Sequence, residues 1–434
     1  MFGVKGRGGY RKSIGSEIYM KLLRFTSELI KSDDFKVRSR KKASYFTRKC
    51  KMSFYELMLY TLNSYNCSIR SGLSHFFPLV EKKNISMKQP SYSKSRKKVK
   101  NSAFKEIFNK SVDVLSKSCK STWHGFLIFA IDGTKIALPQ DKKLLKAYGG
   151  TGANASSPTA QGSIMYDILN DIVYDAFIRP LDVDERTLAI KHLKTVSERL
   201  SGKKMLVIFD RGYPSFELIQ ILEELGITYL MRVKTKFNND IDAQTESDGY
   251  VQLVKNADSL NVRVIKFKLK SGELEMLITN LYDGRLGVDA FKKLYFMRWP
   301  IETKYDIVKN KLNIENFSTR TISGVKQDFY ASMYLTNAVA AAAHDAQPRA
   351  DAERLGKNNK YEYRININEA IGTLKRQLIS LLFKVRTKEW AKKIDDFLNE
   401  VASNVVPVRL NRSVKRNLNP RRSKFHHNRK CNSY

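Results

Sequence analysis

The chain has 434 residues, 42% of them hydrophobic, which suffices for two or three domains with a substantial core and no disulfide or metal staples. Its 78 Lys and Arg against 43 Asp and Glu leave a formal net charge of +35, a self-repulsion that calls for an anionic partner, nucleic acid first. Cys50, Cys67, Cys119 and Cys431 lie far apart with no Cys-x-x-Cys pair, and no apolar run reaches about 18 residues. These features argue against a disulfide framework, a cysteine zinc site, export or a membrane span, and they predict a soluble protein of a reducing cytoplasm.

The basic excess sits at the ends. Residues 1–100 carry 24 basic and 6 acidic side chains, and nine basic with no acidic residues follow Glu400. Such ends suit phosphate backbones; a solubilising surface is the plainer alternative. Residues 14–90 read mainly as helices, with Ile18, Leu22, Phe25 and Leu29 on one face of the first. A basic, Ser-rich connector, "KQPSYSKSRKKVK", leads into another amphipathic helix, compatible with a helix-turn-helix-like reader of nucleic acid.

At Gly125 the pattern turns to strands. "GFLIFAIDGTKIALP" is apolar and β-rich with a turn signal at Asp132 and Gly133, and "SIMYDILNDIVYDAFIRPL" alternates like two strands around Asn170 and Asp171. A helix through "DERTLAIKHLKTVSERLSG", the buried strand "MLVIF" ending at Asp210, a helix closed by Gly226 and the strand "ITYLMRVK" follow. This order of three strands, helix, strand, helix, strand predicts an α/β core with an antiparallel and a parallel half, drawn as RNase H-like. Residues 235–287 read as a small β-rich insertion, and a long helical stretch from Asp289 to about Asn313, a second helix and a helical C-terminal region complete the chain.

Asp132 and Asp210 close apolar runs, where an unpaired carboxylate is expensive. A third acid, Glu302, lies in "YFMRWPIETKYDIVKNKL". Three carboxylates at one sheet edge suit hard divalent cations, Mg²⁺ or Mn²⁺, and the two-metal displacement chemistry of phosphodiesters. Asp167, Asp171, Asp175, Asp182 and Asp184 share the region, so position alone does not force the choice. On a continuous helix Tyr295, Arg298, Glu302 and Lys309 would fall within about 60° of one another, with Arg and Lys disposed toward phosphates. Pro300 predicts a kink or a fresh helix start at Trp299 and Pro300.

At these residues the sequence resembles the DDE transposases of bacterial insertion sequences marked by a Y-(2)-R-(3)-E-(6)-K signature. Tyr295, Arg298, Glu302 and Lys309 match its spacing, Asp210, Gly212 and Tyr213 match the earlier Asp-x-Gly-aromatic motif, and Asp132 falls on the first aspartate. The resemblance covers roughly residues 120–345. It implies Asp132, Asp210 and Glu302 as catalytic metal ligands, with Tyr295, Arg298 and Lys309 on transposon-end DNA. It also implies a homodimer acting by cut and paste through a hairpin, with double-stranded DNA, both transposon ends and target, as partner. The insertion lacks tryptophan, so Trp299, Tyr250 or Tyr282 is left to stack on a flipped base, and core packing is the plainer role for Trp299.

The expected organisation is a basic DNA-binding region over 1–119, a catalytic core over 120–345 and a helical region with a basic tail over 346–434, nucleoid-associated and without membrane contact. The alternatives are a catalytically silent DNA-binding descendant of a transposase and a purely hydrolytic RNase H-like nuclease. "GGTGANAS" lacks the Gly-Lys-Ser/Thr ending of a P-loop, His124 and His192 show no partner that would make a base, and His426, His427 and Cys431 form only a loose set.

Overall fold

The computed structural model describes residues 17–269 and 271–409. The first sixteen residues and the tail with His426, His427 and Cys431 lie outside the described residues. Six helices come first: α1 (Ile18–Lys31), α2 (Asp33–Ser39), α3 (Phe54–Asn63), α4 (Ile69–Leu79), α5 (Gln89–Arg96) and α6 (Ser102–Ser118). Their starts follow the chain's polar punctuation. Ser53 accepts from the Glu56 N–H while Glu56 accepts from the Ser53 N–H, a capping box for α3, and Ser32 and Ser68 cap α2 and α4. The Ser-rich connector is itself helical as α5, and its Arg96 is buried rather than solvated.

Next come β1 (Leu127–Ala137), α7 (Lys142–Tyr148), β2 (Gly150–Thr151), a short 3₁₀ turn (Ala153–Ala155), β3 (Ser157–Asp167), β4 (Ile172–Arg179), α8 (Glu185–Arg199), β5 (Met205–Phe209), α9 (Phe216–Glu224) and β6 (Thr228–Val233). After α10 (Asn239–Ala243), β7 (Asp248–Lys255), β8 (Asp258–Lys268) and β9 (Leu274–Thr279) finish the strands of one mixed sheet. Its order is β2-β3-β1-β5-β6-β9-β8-β7, with β4 also on β3. β1, β5 and β6 run parallel, and β3, β4 and β9 pair antiparallel.

One expectation is corrected here. The Asp132-Gly133 pair makes no turn: β1 runs straight through it, because Ile164 back to Thr159 on β3 pair with Asp132 through Ala137, its whole second half. Residues 235–287 are rich in strands, which join the main sheet. β9 pairs with β6 from Leu230↔Thr279 to Val233↔Met276, so the strands extend the central sheet and bury Ile265, Leu277 and Ile278 in its layers.

α11 (Val288–Phe296), α12 (Pro300–Asp306) and a π-helical turn (Ile307–Lys311) then lead to α13 (Ile322–Ala352). β10 (Glu362–Ile365), α14 (Ile367–Phe383), α15 (Trp390–Ser403) and β11 (Val405–Val408) close the described chain, β10 pairing with β11. α13 continues through Pro348 and is buried along most of its length. Its Ala338–Ala343 stretch presents little side-chain bulk, which lets α1, α3, α6, α14, α15 and β4 pack around it. No helix among the described residues is long and apolar enough to cross a membrane.

The sheet separates two apolar cores. Leu206 and Ile208 of β5 pack with Ile128, Leu230, Phe291, Leu294 and Tyr295 on the α11 side, while Met205, Val207 and Phe209 face the larger core. Burial on both faces explains the unbroken apolar run "MLVIF". α11 thus belongs to the smaller core, whereas Ile301, Ile307 and Val308 of the next helical segment belong to the larger one. The chain passes from one face of the sheet to the other over residues 297–300.

Candidate active site

The two aspartates are brought level by strand register. β1 and β5 pair in parallel from Leu127↔Met205 to Ala130↔Ile208, so two further residues along each strand lie Asp132 and Asp210. Neighbouring strands are about 4.8 Å apart, which sets the aspartates side by side at the carboxyl edge of the parallel half. The Gly133 N–H donates to Asp132 Oδ1 at 2.9 Å and fixes the carboxylate's orientation. Burial pushes the Asp132 carboxyl up to about 6, and the nearby charges of Glu185 and Asp210 add to this, against the Gly133 hydrogen bond and Arg298.

Glu302 arrives from α12, whose first residue is Pro300 with Trp299 before it. Proline at that position needs no N–H partner, so the expected fresh helix start is where the structure has it. Arg298, in the crossing turn, donates from Nη2 to Glu302 Oε1 at 3.2 Å and is only 7% exposed. Burial works against its charge, yet Tyr295, Asp210 and Glu302 outweigh burial and raise its pKa. The Tyr295 hydroxyl, itself pushed up to about 12 by burial and then by Asp210, donates to Asp210 Oδ1 at 3.3 Å.

These contacts correct the expectation of one helical face. Tyr295 lies in α11, Arg298 in the turn, Glu302 in α12 and Lys309 in the π-helical turn. Tyr295 contacts Asp210 and Arg298 contacts Glu302. Lys309 Nζ donates to the Lys135 carbonyl at 2.6 Å and stands 3.9 Å from Glu315. Trp299 is 50% exposed and so is not a core residue; Tyr250 of β7 and Tyr282, just past β9, are also exposed and pair with ring centroids 6.0 Å apart.

Among the described residues no group of three or more His, Cys, Asp or Glu side chains is gathered so as to hold a metal ion. The donor chemistry nonetheless fits a hard divalent cation. Asp132 is a desolvated carboxyl short of compensating charge, and the Nε of buried Arg298 has no hydrogen-bond partner, so the acids share one guanidinium.

Residues 123–337 match the family model of the transposase DDE domain. That span runs from just before β1 to the middle of α13 and contains all three acids. No curated protein sequence matches the chain. Among solved structures, a piggyBac transposase synaptic complex with hairpin DNA is similar at a TM-score of 0.47 and 9% identity, covering 87% of this chain and 85% of that one.

Three residues around Asp132 escape a reading of the sequence. Glu185, the first residue of α8, accepts from Gln161 Nε2 at 2.9 Å, and a β-carbon on Gly133 would sit 2.5 Å from its Oε1. A glycine inside a strand is the signal for that close approach, masked here by the Asp-Gly turn reading. His192 has partners after all: its Nδ1 lies 2.8 Å from Asp175 Oδ2 and its Nε2 3.0 Å from Ser163 Oγ, all three side chains buried. Tyr305 donates to the Asp132 carbonyl at 2.5 Å.

Proposed function

We propose that the chain is a metal-dependent DNA transposase that binds the terminal inverted repeats of its element and cuts and joins strands with Asp132, Asp210 and Glu302. The observation that carries this reading is the position of Asp132 and Asp210, each two residues beyond the Ala130↔Ile208 pair of adjacent parallel strands, with Glu302 hydrogen-bonded to Arg298, whose charge also meets Asp210. The match of residues 123–337 to the transposase DDE domain supports it, as does the net charge of +35. The sheet, antiparallel on one side of β1 and parallel on the other, supports an RNase H-like core.

Bound Mg²⁺ or Mn²⁺ would supply Lewis acidity to the attacking and leaving oxygens of a phosphodiester. The chain's own residues prepare the acids. The Gly133 N–H orients Asp132, the Tyr295 hydroxyl orients Asp210, and Arg298 offsets the mutual repulsion of the carboxylates. Trp299, exposed next to Arg298, and Lys309, partly exposed, would contact the DNA, the indole against a base or sugar and the ammonium against a phosphate. A homodimer that cuts through a hairpin is the form of the reaction the signature residues suggest.

The test uses duplexes carrying the DNA that flanks the coding region. The full chain nicks and joins them in Mg²⁺, whereas Asp132→Ala and Glu302→Ala bind the same duplexes in a mobility shift and do not cleave. Full cleavage by either variant overturns the assignment. Nicking without joining reduces it to a nuclease.

A further inference from the structure

The segment that carries Glu302 is laced to β1 by side-chain contacts to main-chain atoms. Tyr305 donates to the Asp132 carbonyl at 2.5 Å and accepts from the Ile164 N–H at 3.2 Å. Lys309 donates to the Lys135 carbonyl at 2.6 Å, and Glu315 accepts from the Ala137 N–H at 3.0 Å. Asp132 and Ile164 are register partners of β1 and β3, so the Tyr305 hydroxyl bridges the two strands beside the aspartate's own peptide group. A second hydroxyl, Ser163 Oγ, reaches the same carbonyl at 3.3 Å, backed by His192 and Asp175.

Tyr305 lies three residues beyond Glu302 on α12, on nearly the same side of the helix. One rigid turn of helix therefore connects the third acid to the backbone of the first. We propose that Tyr305 is a positioning residue that fixes α12 against β1, and so the spacing of Glu302 from Asp132, before any divalent cation is bound. This inference rests on the transposase reading of the acids. Only a hydroxyl at this reach both donates to Asp132 and accepts from Ile164; phenylalanine fills the same volume and leaves both main-chain groups without it.

A purely structural tyrosine would add stability and nothing else, so the test separates the two. The full chain is compared with Tyr305→Phe and with Tyr334→Phe, whose buried hydroxyl donates to Thr26 Oγ1 at 3.1 Å far along α13. Mn²⁺ binding without DNA is followed by electron paramagnetic resonance, and nicking is followed against Mg²⁺ concentration. Tyr305→Phe is expected to raise the half-saturating concentration of both ions about three- to tenfold, with nicking at saturating metal changed far less. Tyr334→Phe leaves both titrations at the parent value.

Ser163→Ala, which removes the other hydroxyl on the same carbonyl, moves them in the same direction by less, and it serves if Tyr305→Phe does not fold. Parent-like titrations in the hydroxyl variants overturn the positioning role and leave the transposase reading intact. A parent protein that neither binds Mn²⁺ nor nicks DNA overturns that reading itself.

Discussion

A carboxyl group in mid-strand weakens a fold as it ionises, and Asp132, sixth of the eleven residues of β1, is raised to about 6 chiefly by burial. The native state then binds its proton more tightly than the unfolded chain, whose aspartate titrates near ~3.9. Between these values the folded form carries more protons, so this group's contribution to stability falls as pH rises from about 4 to 6, and the full penalty stands above that. With metal chelated, Asp132→Asn is expected to exceed the parent by roughly 1–3 kcal/mol at pH 8 and to lose that advantage by about pH 4. Urea denaturation at the two pH values checks this; an increment independent of pH would sink it. Asp132 and Asp210 were legible in the sequence because each follows a run of apolar residues that only a buried strand explains. The contact of Tyr295 with Asp210 and of Arg298 with Glu302 was not, because spacing gives a helical face but not what that face meets.

Breaking one helix into α11 and α12 is what allows its two halves to lie on opposite faces of the sheet. Pro300 belongs to that design: its ring starts α12 and cannot extend α11. Pro300→Ala is expected to lower stability by about 0.5–1 kcal/mol, since the unfolded chain gains freedom while no native hydrogen bond is lost. Its effect on nicking should be larger, because Arg298 and Glu302 flank the break; a stability loss with unchanged nicking would show that the turn is set by packing alone. The break was legible from proline chemistry. The joining of the outer strands to β6 was not, because alternation shows that β7, β8 and β9 are strands and says nothing of which edge they extend.

Across the whole molecule the helices before the sheet and those after it share one apolar core, with α1, α3 and α6 against α13. Arg96 ties them: it donates to Asp328 Oδ1 at 2.6 Å, to Gln327 Oε1 at 2.7 Å and to the Gly324 carbonyl at 3.0 Å, all from inside the protein. Arg96→Ala leaves Asp328 buried with its partner lost and is expected to cost about 3–5 kcal/mol in urea denaturation, while Arg96→Met with Asp328→Leu recovers most of it. Stability equal to the parent in the single variant would contradict this. Partners more than two hundred residues apart carry no local signature, so the basic composition of α5 concealed this contact. The sheet's outer edge has a different consequence. β7 and β8 hang from β9, whose register on β6 is independent of their length, and the crossing turn follows β9. Descendants of this chain can therefore lengthen, shorten or redecorate the edge that bears Tyr250 without re-siting a single carboxylate, so that what the edge meets and what the carboxylates do are open to separate selection.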